Sequence, residues 1–170
     1  MTQFIQQTVE EAQDDPTLNK FIHFTVPDRI EHLVKLTANL GGLPAFSGNS
    51  IELLPHYDDN FIQITNDISQ ATRFVHIEFF IIVLDKSTTP LFDAMAEAVK
   101  RGVVVRVLFD SFSSRRYPDY KKMKQTLTDI GVEWYAMLPL KLPGANFNRP
   151  DLRNHRKLAI IDGVIGYTGS

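Results

Sequence analysis

Apolar and polar residues alternate along this chain with two periods, one typical of helices and one typical of strands. The first 47 residues show weak periodicity apart from one amphipathic stretch around Ile30 and Leu33, which ends at Gly41-Gly42. From Asn49 onward the pattern becomes regular. We therefore predict a linker or helical segment at residues 1–47 and a folded domain at residues 48–170.

Within the predicted domain, strand-like and helix-like segments follow each other in turn. Thr89-Pro90 marks a helix start, and Gly102 and Gly131 mark helix ends. This order predicts an α/β fold with helices on the sheet faces, layered α/β/α, and a mixed sheet. The predicted strands are 51–54, 74–84, 103–109, 132–138, 153–161 and 164–168, and the predicted helices are 59–71, 89–101 and 120–130.

Composition narrows the class of protein. The 170 residues are 44% apolar and 22% charged, as in soluble globular domains. The absence of cysteine excludes a disulfide framework, a thiolate nucleophile and a cysteine-bound metal. A net charge of −2 argues against a nucleic-acid partner, and no apolar run is long enough to span a membrane, so we expect a soluble chain.

The last strands form a predicted hairpin around Asp162-Gly163, a strong two-residue turn signal. A two-residue turn would pair Lys157 with Thr168 and His155 with Ser170, all on one sheet face. The other face of the hairpin, expected to belong to the core, would then carry Leu158, Ile160, Ile165 and Tyr167. Ala159 would pair with Gly166.

An imidazole, an ammonium and two hydroxyls on one face suit a phosphate diester, since the ammonium neutralises oxygens and the imidazole attacks phosphorus or moves a proton. Arg153 would border this patch. Residues 141–157 hold five basic residues and one acid, which favours an anionic substrate. The alternative is that His155 and Lys157 are ordinary exposed strand residues, and their spacing alone does not decide between the two.

Two other pairs of polar residues are candidates for a functional site. His76 and Glu78 share one face of the predicted 74–84 strand, where they either face the site or lie at a wet sheet end and pair with each other. Asp110 and Ser111 follow a buried strand at its carboxyl end, where α/β sheets often bind ligands.

These residues also fit a known signature. His155, Lys157, Asp162 and Gly169-Ser170 match H-x-K-x4-D-x6-G-S, so the chain resembles the phospholipase D superfamily. The string NHRKLAIIDGVIGYTGS is similar to the first such motif of bacterial cardiolipin synthases, and the likeness extends upstream through GNSIELL, HIEFFII, AVKRGVVVRVLFD and GVEWYAMLPL. It covers roughly Pro44–Ser170.

The resemblance implies a role for each motif residue. His155 would be the catalytic histidine, as nucleophile or as acid. Lys157 and Ser170 would bind the phosphate, together with Thr168 and Arg153 from the hairpin interpretation. Asp162 belongs to the catalytic motif but looks structural. The implied reaction transfers a phosphatidyl group between two phosphatidylglycerols through a phosphohistidine, releases glycerol, and needs no cofactor or metal.

Two departures from the family pattern limit this interpretation. The family carries two motif copies and membrane-spanning helices, whereas this sequence has one copy and no such helix. We expect an incomplete half-domain that is inactive alone and needs a second motif-bearing half, from the same longer chain or a dimer mate. The parent enzyme would act at an anionic lipid surface, on the cytoplasmic face of the bacterial membrane. The alternatives are a single-motif phosphodiesterase or nuclease active as a dimer, and a non-catalytic module.

Overall fold

The computed structural model describes residue 7 and residues 15–22, 25–41, 44–139 and 151–169. Its contacts divide the chain into two compact units, Met1–Leu53 and Leu54–Ser170. The predicted domain boundary lies a few residues earlier, between residues 47 and 48. The two units are described separately below.

The first unit contains helices α1 (Pro16–Ile22) and α2 (Asp28–Gly41). Helix α2 confirms the predicted amphipathic stretch and ends at Gly41, as expected. Its apolar side chains remain accessible, with Ile30, Leu33 and Leu36 being 39%, 51% and 54% exposed. No helix within the described ranges combines the length and apolar content needed to cross a lipid bilayer.

The second unit alternates helices and strands and then ends in a hairpin. Its strands are β1 (Phe74–Phe79), β2 (Val104–Asp110), β3 (Glu133–Met137), β4 (Lys157–Ile161) and β5 (Ile165–Gly169). Its helices are α3 (Tyr57–Gln70), α4 (Thr89–Lys100), α5 (Ser111–Ser114) and α6 (Tyr120–Asp129). The predicted helices are confirmed to within a few residues at their ends, while α5 is a short element that periodicity does not reveal.

The five strands form one mixed sheet in the order β3-β2-β1-β4-β5. Strands β1, β2 and β3 are parallel, and β4 and β5 run antiparallel to their neighbours. Both parallel connections move in the same direction along the sheet, so right-handed crossovers place α4 and α6 on the same face. The predicted α/β fold with a mixed sheet is confirmed.

The core lies between that face and the helices. Alternate residues of β1, β2 and β4 are buried there, including Val75, Val107 and Ala159. The helices contribute side chains that are completely or nearly completely buried, namely Ile68, Leu91, Met95 and Leu127. The other face keeps Leu108 at 37% and Tyr135 at 62% exposure, so in the described part of this unit the long helices cover one face of the sheet.

Three predicted strands differ from the structure, one of them the predicted 153–161 strand, since β4 begins at Lys157. Residues 51–56 form no strand, and Ile51 is 97% exposed, because apolar alternation alone does not provide a neighbour for the backbone hydrogen bonds of a strand. Strand β1 ends at Phe79 rather than Leu84. Beyond it the Asp85 carboxylate accepts hydrogen bonds from the backbone N–H groups of Ser87 and Thr88, which turns the chain toward α4.

The hairpin turn forms as predicted, but the strand register is shifted by one residue. Asp162 and Gly163 both adopt positive φ, and the Val164 N–H donates to the Ile161 carbonyl at 3.0 Å. Val164 is then an extra residue, so Ile161 pairs with Ile165. The Asp162 N–H donates to the Phe74 carbonyl on β1 at 2.9 Å, and this third strand holds the turn in place.

The one-residue shift corrects the predicted faces of the hairpin, because side chains alternate along a strand. Lys157 pairs with Gly169 instead of Thr168, and Ala159 pairs with Tyr167 instead of Gly166. Ala159 and Ile161 are buried at 0% and 2% exposure, so the core includes the Lys157 side of β4. The prediction that Leu158 and Ile160 are core residues was wrong, since both are only half-buried on the uncovered face.

The two neighbouring isoleucines of β4 provide a direct test of this arrangement. We expect Ile161→Ala to lower the free energy of unfolding by about 3 kcal/mol, because it leaves a cavity in the core. The matched variant Ile160→Ala should lower it by only about 1 kcal/mol, because its side chain is half-buried. Urea denaturation of both variants measures the difference, and a larger loss from Ile160→Ala would support the two-residue register instead.

Candidate functional site

Two motif residues, His155 and Lys157, lie at the edge of the sheet where the parallel strands end. Strands β1, β2 and β3 finish there, at Phe79, Asp110 and Met137. Because β4 runs antiparallel to β1, its first residue, Lys157, lies beside Phe79 at the same edge. Ligands of α/β sheets commonly bind outside the carboxyl ends of the parallel strands.

His155 and Lys157 meet around the ring of Phe80, which follows β1. The His155 imidazole stacks on this ring with centroids 3.9 Å apart and planes inclined by 28°. The Lys157 ammonium lies 5.7 Å from the ring centroid. His155 is exposed, whereas Lys157 and Phe80 are half-buried. The structure therefore brings together an accessible imidazole and a cation, as the sequence predicts, although His155 lies just before β4 rather than within it.

The residues that flank His155 are tied to Glu78 on β1. The Asn154 amide donates a hydrogen bond to the Glu78 carboxylate, and the Arg156 guanidinium lies 3.8 Å from it. Asn154 also accepts a hydrogen bond from the Arg156 N–H at 3.1 Å. Glu78 pairs with Leu158 and therefore lies on the uncovered face, opposite Lys157, where it contacts the residues on either side of His155. His76 lies on the same face, 3.4 Å from Arg106.

Arg153 is engaged with the protein rather than placed beside His155. Its guanidinium donates to the Asp110 carboxylate at 3.4 Å and to the Leu138 carbonyl at 2.8 Å, and it packs over the Phe112 ring. The side chains of Arg153 and Asp110 are only 8% and 0% exposed. Asp110 also accepts from the Ser113 N–H at 2.8 Å and so caps α5. This buried ion pair joins the segment before His155 to the end of β2.

A comparison of two neighbouring arginines tests this structural role. We expect Arg153→Met to lower the free energy of unfolding by about 3 kcal/mol, because it leaves the buried Asp110 carboxylate without its cation. Arg156→Met should change it by less than about 0.5 kcal/mol, because that side chain is 75% exposed. Urea denaturation measures the free energy of unfolding of both variants. Equal losses would show that the ion pair between Arg153 and Asp110 does not hold the segment before His155 in place.

The Thr168 hydroxyl does not lie beside Lys157. Thr168 pairs with Leu158, which puts it on the face opposite Lys157 and corrects the predicted pairing of Thr168 with Lys157. Ser170 lies outside the described residues, so its predicted phosphate contact stays a prediction. Gly169 occupies the position opposite Lys157, and a Cβ atom at Gly169 would meet no other atom within 4 Å.

Asp162 lies at the opposite edge of the sheet, separated from Lys157 by the length of β4, roughly 16 Å. Its carboxylate accepts hydrogen bonds from the backbone N–H groups of Thr72, Arg73 and Phe74 at 2.8–3.0 Å. The Thr72 hydroxyl donates to it as well. These bonds, those from Thr72 and Phe74 first, hold the pKa of Asp162 well below its usual range. Asp162 thus fixes the start of β1 and does not share the place occupied by His155.

The depressed pKa of Asp162 predicts a specific pH dependence of stability. Above about pH 4.5 the Asp162 carboxylate is ionised in both the folded and the unfolded chain, and its hydrogen bonds contribute fully to the free energy of unfolding. As the pH falls below about 4, the unfolded chain takes up a proton that the folded chain still excludes, so stability is lost. Asp162→Asn should therefore be less stable than the native chain at pH 7, and this difference should narrow toward pH 3.

Urea denaturation at several pH values between 7 and 3 checks this expectation. Asp93→Asn is the matched control, because it removes an exposed acid of α4 at the same change in charge. A difference between Asp162→Asn and the native chain that stays constant over this range would contradict the role assigned to the ionised carboxylate.

Phe80 is the site residue that sequence reasoning missed. It belongs to a continuous apolar run, Phe79–Leu84, which predicts only a buried strand. Its contact with His155 depends on β1 ending one residue earlier. Within the described part of the chain, no group of three or more acidic or histidine side chains is arranged to hold a metal ion.

Comparison with known proteins defines the class. Residues 64–170 match the family model described as "Cardiolipin synthase, PLD-like domain", which is more than half of the chain, and the chain belongs to this family. The resemblance expected from the motif is thereby confirmed.

The curated relatives are several times longer than this chain. Cardiolipin synthase 1 of Bacillus cereus is 33% identical over 147 residues, which is 85% of this chain and 28% of the relative. Major cardiolipin synthase ClsA of Bacillus subtilis is 38% identical over 121 residues, 71% of this chain and 24% of the relative. The chain thus spans about a quarter of the length of these relatives.

Solved structures with some likeness include NucT from Helicobacter pylori, with 20% identity and a TM-score of 0.48 over 66% of this chain and 67% of NucT. Nuc from Salmonella typhimurium, a phospholipase D family member, has 16% identity and a TM-score of 0.44 over 59% of this chain and 56% of Nuc.

Proposed function

We propose that this chain supplies one catalytic half of a phosphatidyltransferase of the cardiolipin synthase type. The reaction moves a phosphatidyl group from one phosphatidylglycerol to the glycerol hydroxyl of another and releases glycerol. The observation that carries the proposal is the convergence of His155 and Lys157 on Phe80, at the carboxyl edge of the sheet. Membership of the cardiolipin synthase family supports the choice of substrate class.

The chemistry needs a nucleophile, a proton-transferring group and a cation. First, an imidazole nitrogen bonds to phosphorus, the bond from phosphorus to the glycerol oxygen breaks, and glycerol leaves with a proton from a second group. Next, the hydroxyl of another phosphatidylglycerol gives its proton to that group and attacks phosphorus, which displaces the imidazole. His155 performs one of these two roles. Lys157 stabilises the charge on the non-bridging phosphate oxygens throughout.

The second histidine comes from another motif-bearing half in this proposal. The signature occurs once in the 170 residues, and a single imidazole cannot act as nucleophile and as acid for the departing glycerol at once. The partner is a second half in a longer polypeptide or a second copy of the chain. General acid catalysis is typically worth about 10²–10⁴-fold, so the isolated chain should turn over very slowly.

The substrate lies in a lipid bilayer, so the site must approach an anionic membrane surface. Arg156, 75% exposed beside His155, adds a cation next to the reacting groups. Anionic lipid attracts each basic residue near the surface by about 1 kcal/mol. The cytoplasmic face of the bacterial cell membrane is the proposed location. The net charge of −2 disfavours nucleic acid as the substrate, because binding to its backbone needs many cations.

Replacing His155 in a complete transferase tests the function. The 170-residue chain is inserted in place of the matching segment of the Bacillus subtilis relative, and the chimera is expressed in bacteria that lack cardiolipin synthase activity. We expect cardiolipin to form, and His155→Ala to reduce its rate of formation by at least about 100-fold, because the reacting imidazole is lost. Thin-layer chromatography and mass spectrometry of the lipids measure the product.

The matched control is His32→Ala, which removes an exposed histidine of α2 and should leave cardiolipin formation unchanged. Immunoblotting of each chimera against the parent enzyme establishes that equal amounts of protein are compared. A stably produced chimera that makes no cardiolipin, or that still makes it after His155→Ala, contradicts the proposal. Cleavage of single-stranded DNA by the purified chain, abolished in His155→Ala, would favour the dimeric phosphodiesterase instead.

A further inference from the structure

The Phe80 ring lies beside both motif side chains assigned to the reaction, His155 and Lys157. The Phe80 ring lies 3.9 Å from the His155 ring, centroid to centroid, and 5.7 Å from the Lys157 ammonium. We infer that Phe80 is a positioning residue that sets the plane of the His155 imidazole and its place relative to the Lys157 ammonium. The catalytic part of this inference rests on the proposed function, while the contact itself is measurable without turnover.

The stacking geometry suits an imidazole that must react through a ring nitrogen. With the planes inclined by 28°, Phe80 covers one face of the imidazole and restricts its rotation about the side-chain bonds. Both nitrogens point outward in the plane of the ring, so stacking leaves their lone pair and N–H directions open. His155 is exposed, and an exposed imidazole without such a contact would sample several rotamers. Orientation of reacting groups is a large part of enzymatic rate enhancement.

The Phe80 ring also attracts the two positive charges that lie beside each other during the reaction. Lys157 is cationic, and His155 becomes cationic when it carries a proton or a phosphoryl group. Two neighbouring cations repel each other, but each is attracted to the negative face of an aromatic ring within about 6 Å. A leucine of similar apolar character at position 80 would fill space without providing this attraction.

Phe80 is held in place by contacts that do not involve His155. It directly follows β1, whose last residue, Phe79, pairs with Lys157. Two residues later the Ile82 N–H donates to the buried Ser114 hydroxyl at 3.3 Å. The Thr88 hydroxyl donates to the Val83 carbonyl at 2.7 Å, which fixes the chain beyond. The backbone on both sides of Phe80 is therefore held by hydrogen bonds, and its ring can orient the more exposed His155 side chain.

The first test uses NMR of the 170-residue chain with labelled histidine. His155 resonances are assigned by their loss in His155→Ala. In the native chain we expect nuclear Overhauser effects between the His155 and Phe80 rings, and an upfield displacement of the His155 carbon-bound protons by the ring current. Phe80→Leu should abolish the displacement, Phe80→Tyr should keep it, and Phe112→Leu, which removes a ring next to Arg153, should not alter it.

The second test uses the chimeric transferase and phosphatidylglycerol vesicles. We expect Phe80→Leu to lower kcat by about 10- to 100-fold with KM changed less than about threefold, because a misplaced reacting group slows the chemical step. Phe80→Tyr should restore most of the rate, and Phe112→Leu should have little effect. A merely structural role would lower the amount of folded enzyme without this split between kcat and KM and without rescue by tyrosine.

The two tests separate the inference from the proposed function. Absence of contacts between the two rings in the native chain overturns the inference even if Phe80→Leu fails to fold. Unchanged His155 resonances in a folded Phe80→Leu chain, an equal rate loss in Phe112→Leu, or no rescue by tyrosine also overturns it. A chimera that makes no cardiolipin, while the ring contacts are present, contradicts the proposed function and leaves the positioning of His155 by Phe80 supported by the NMR result.

Discussion

Strand β4 lies antiparallel beside β1, and side chains near each end of β4 hold this pairing in place. At one end the Asp162 carboxylate binds the first backbone N–H groups of β1 and its approach. At the other end Asn154 binds Glu78, which belongs to β1 as well. Because both ends are attached to the same neighbouring strand, β4 cannot slide without breaking several hydrogen bonds. The positions of His155 and Lys157 follow from this attachment.

Charged groups at the carboxyl edge of the sheet have two different environments. Asp110 and Arg153 are buried and neutralise each other, so they join the strand ends beneath the site. His155 is exposed and Lys157 is half-buried, where an anion can reach them. A buried charge needs a permanent partner, whereas an accessible one can exchange water for a substrate phosphate. This difference separates the supporting residues from those assigned to the reaction.

The arrangement explains why one structural half carries only part of the proposed chemistry. The sheet edge presents one imidazole and one ammonium beside an aromatic ring, and the proposed reaction needs a further group that gives a proton to the departing glycerol. The chain matches about a quarter of the length of its curated relatives, and a partner half would bring that group. The contact between the Phe80 and His155 rings lies within this chain, so it can be measured on the isolated chain.

Local sequence determined the elements that depend on neighbouring residues. The helix that begins at Thr89-Pro90 and ends before Gly102, and the turn at Asp162-Gly163, follow from the proline in the first helical turn and from backbone conformations that these residues favour. The motif spacing likewise placed His155 near Lys157 and identified the family. Tertiary structure decided the hairpin register, because the turn is held by β1, about 90 residues earlier in the chain. It also decided that Phe80 leaves the sheet and meets His155, since a contact between segments 75 residues apart depends on where each strand ends and has no local signal.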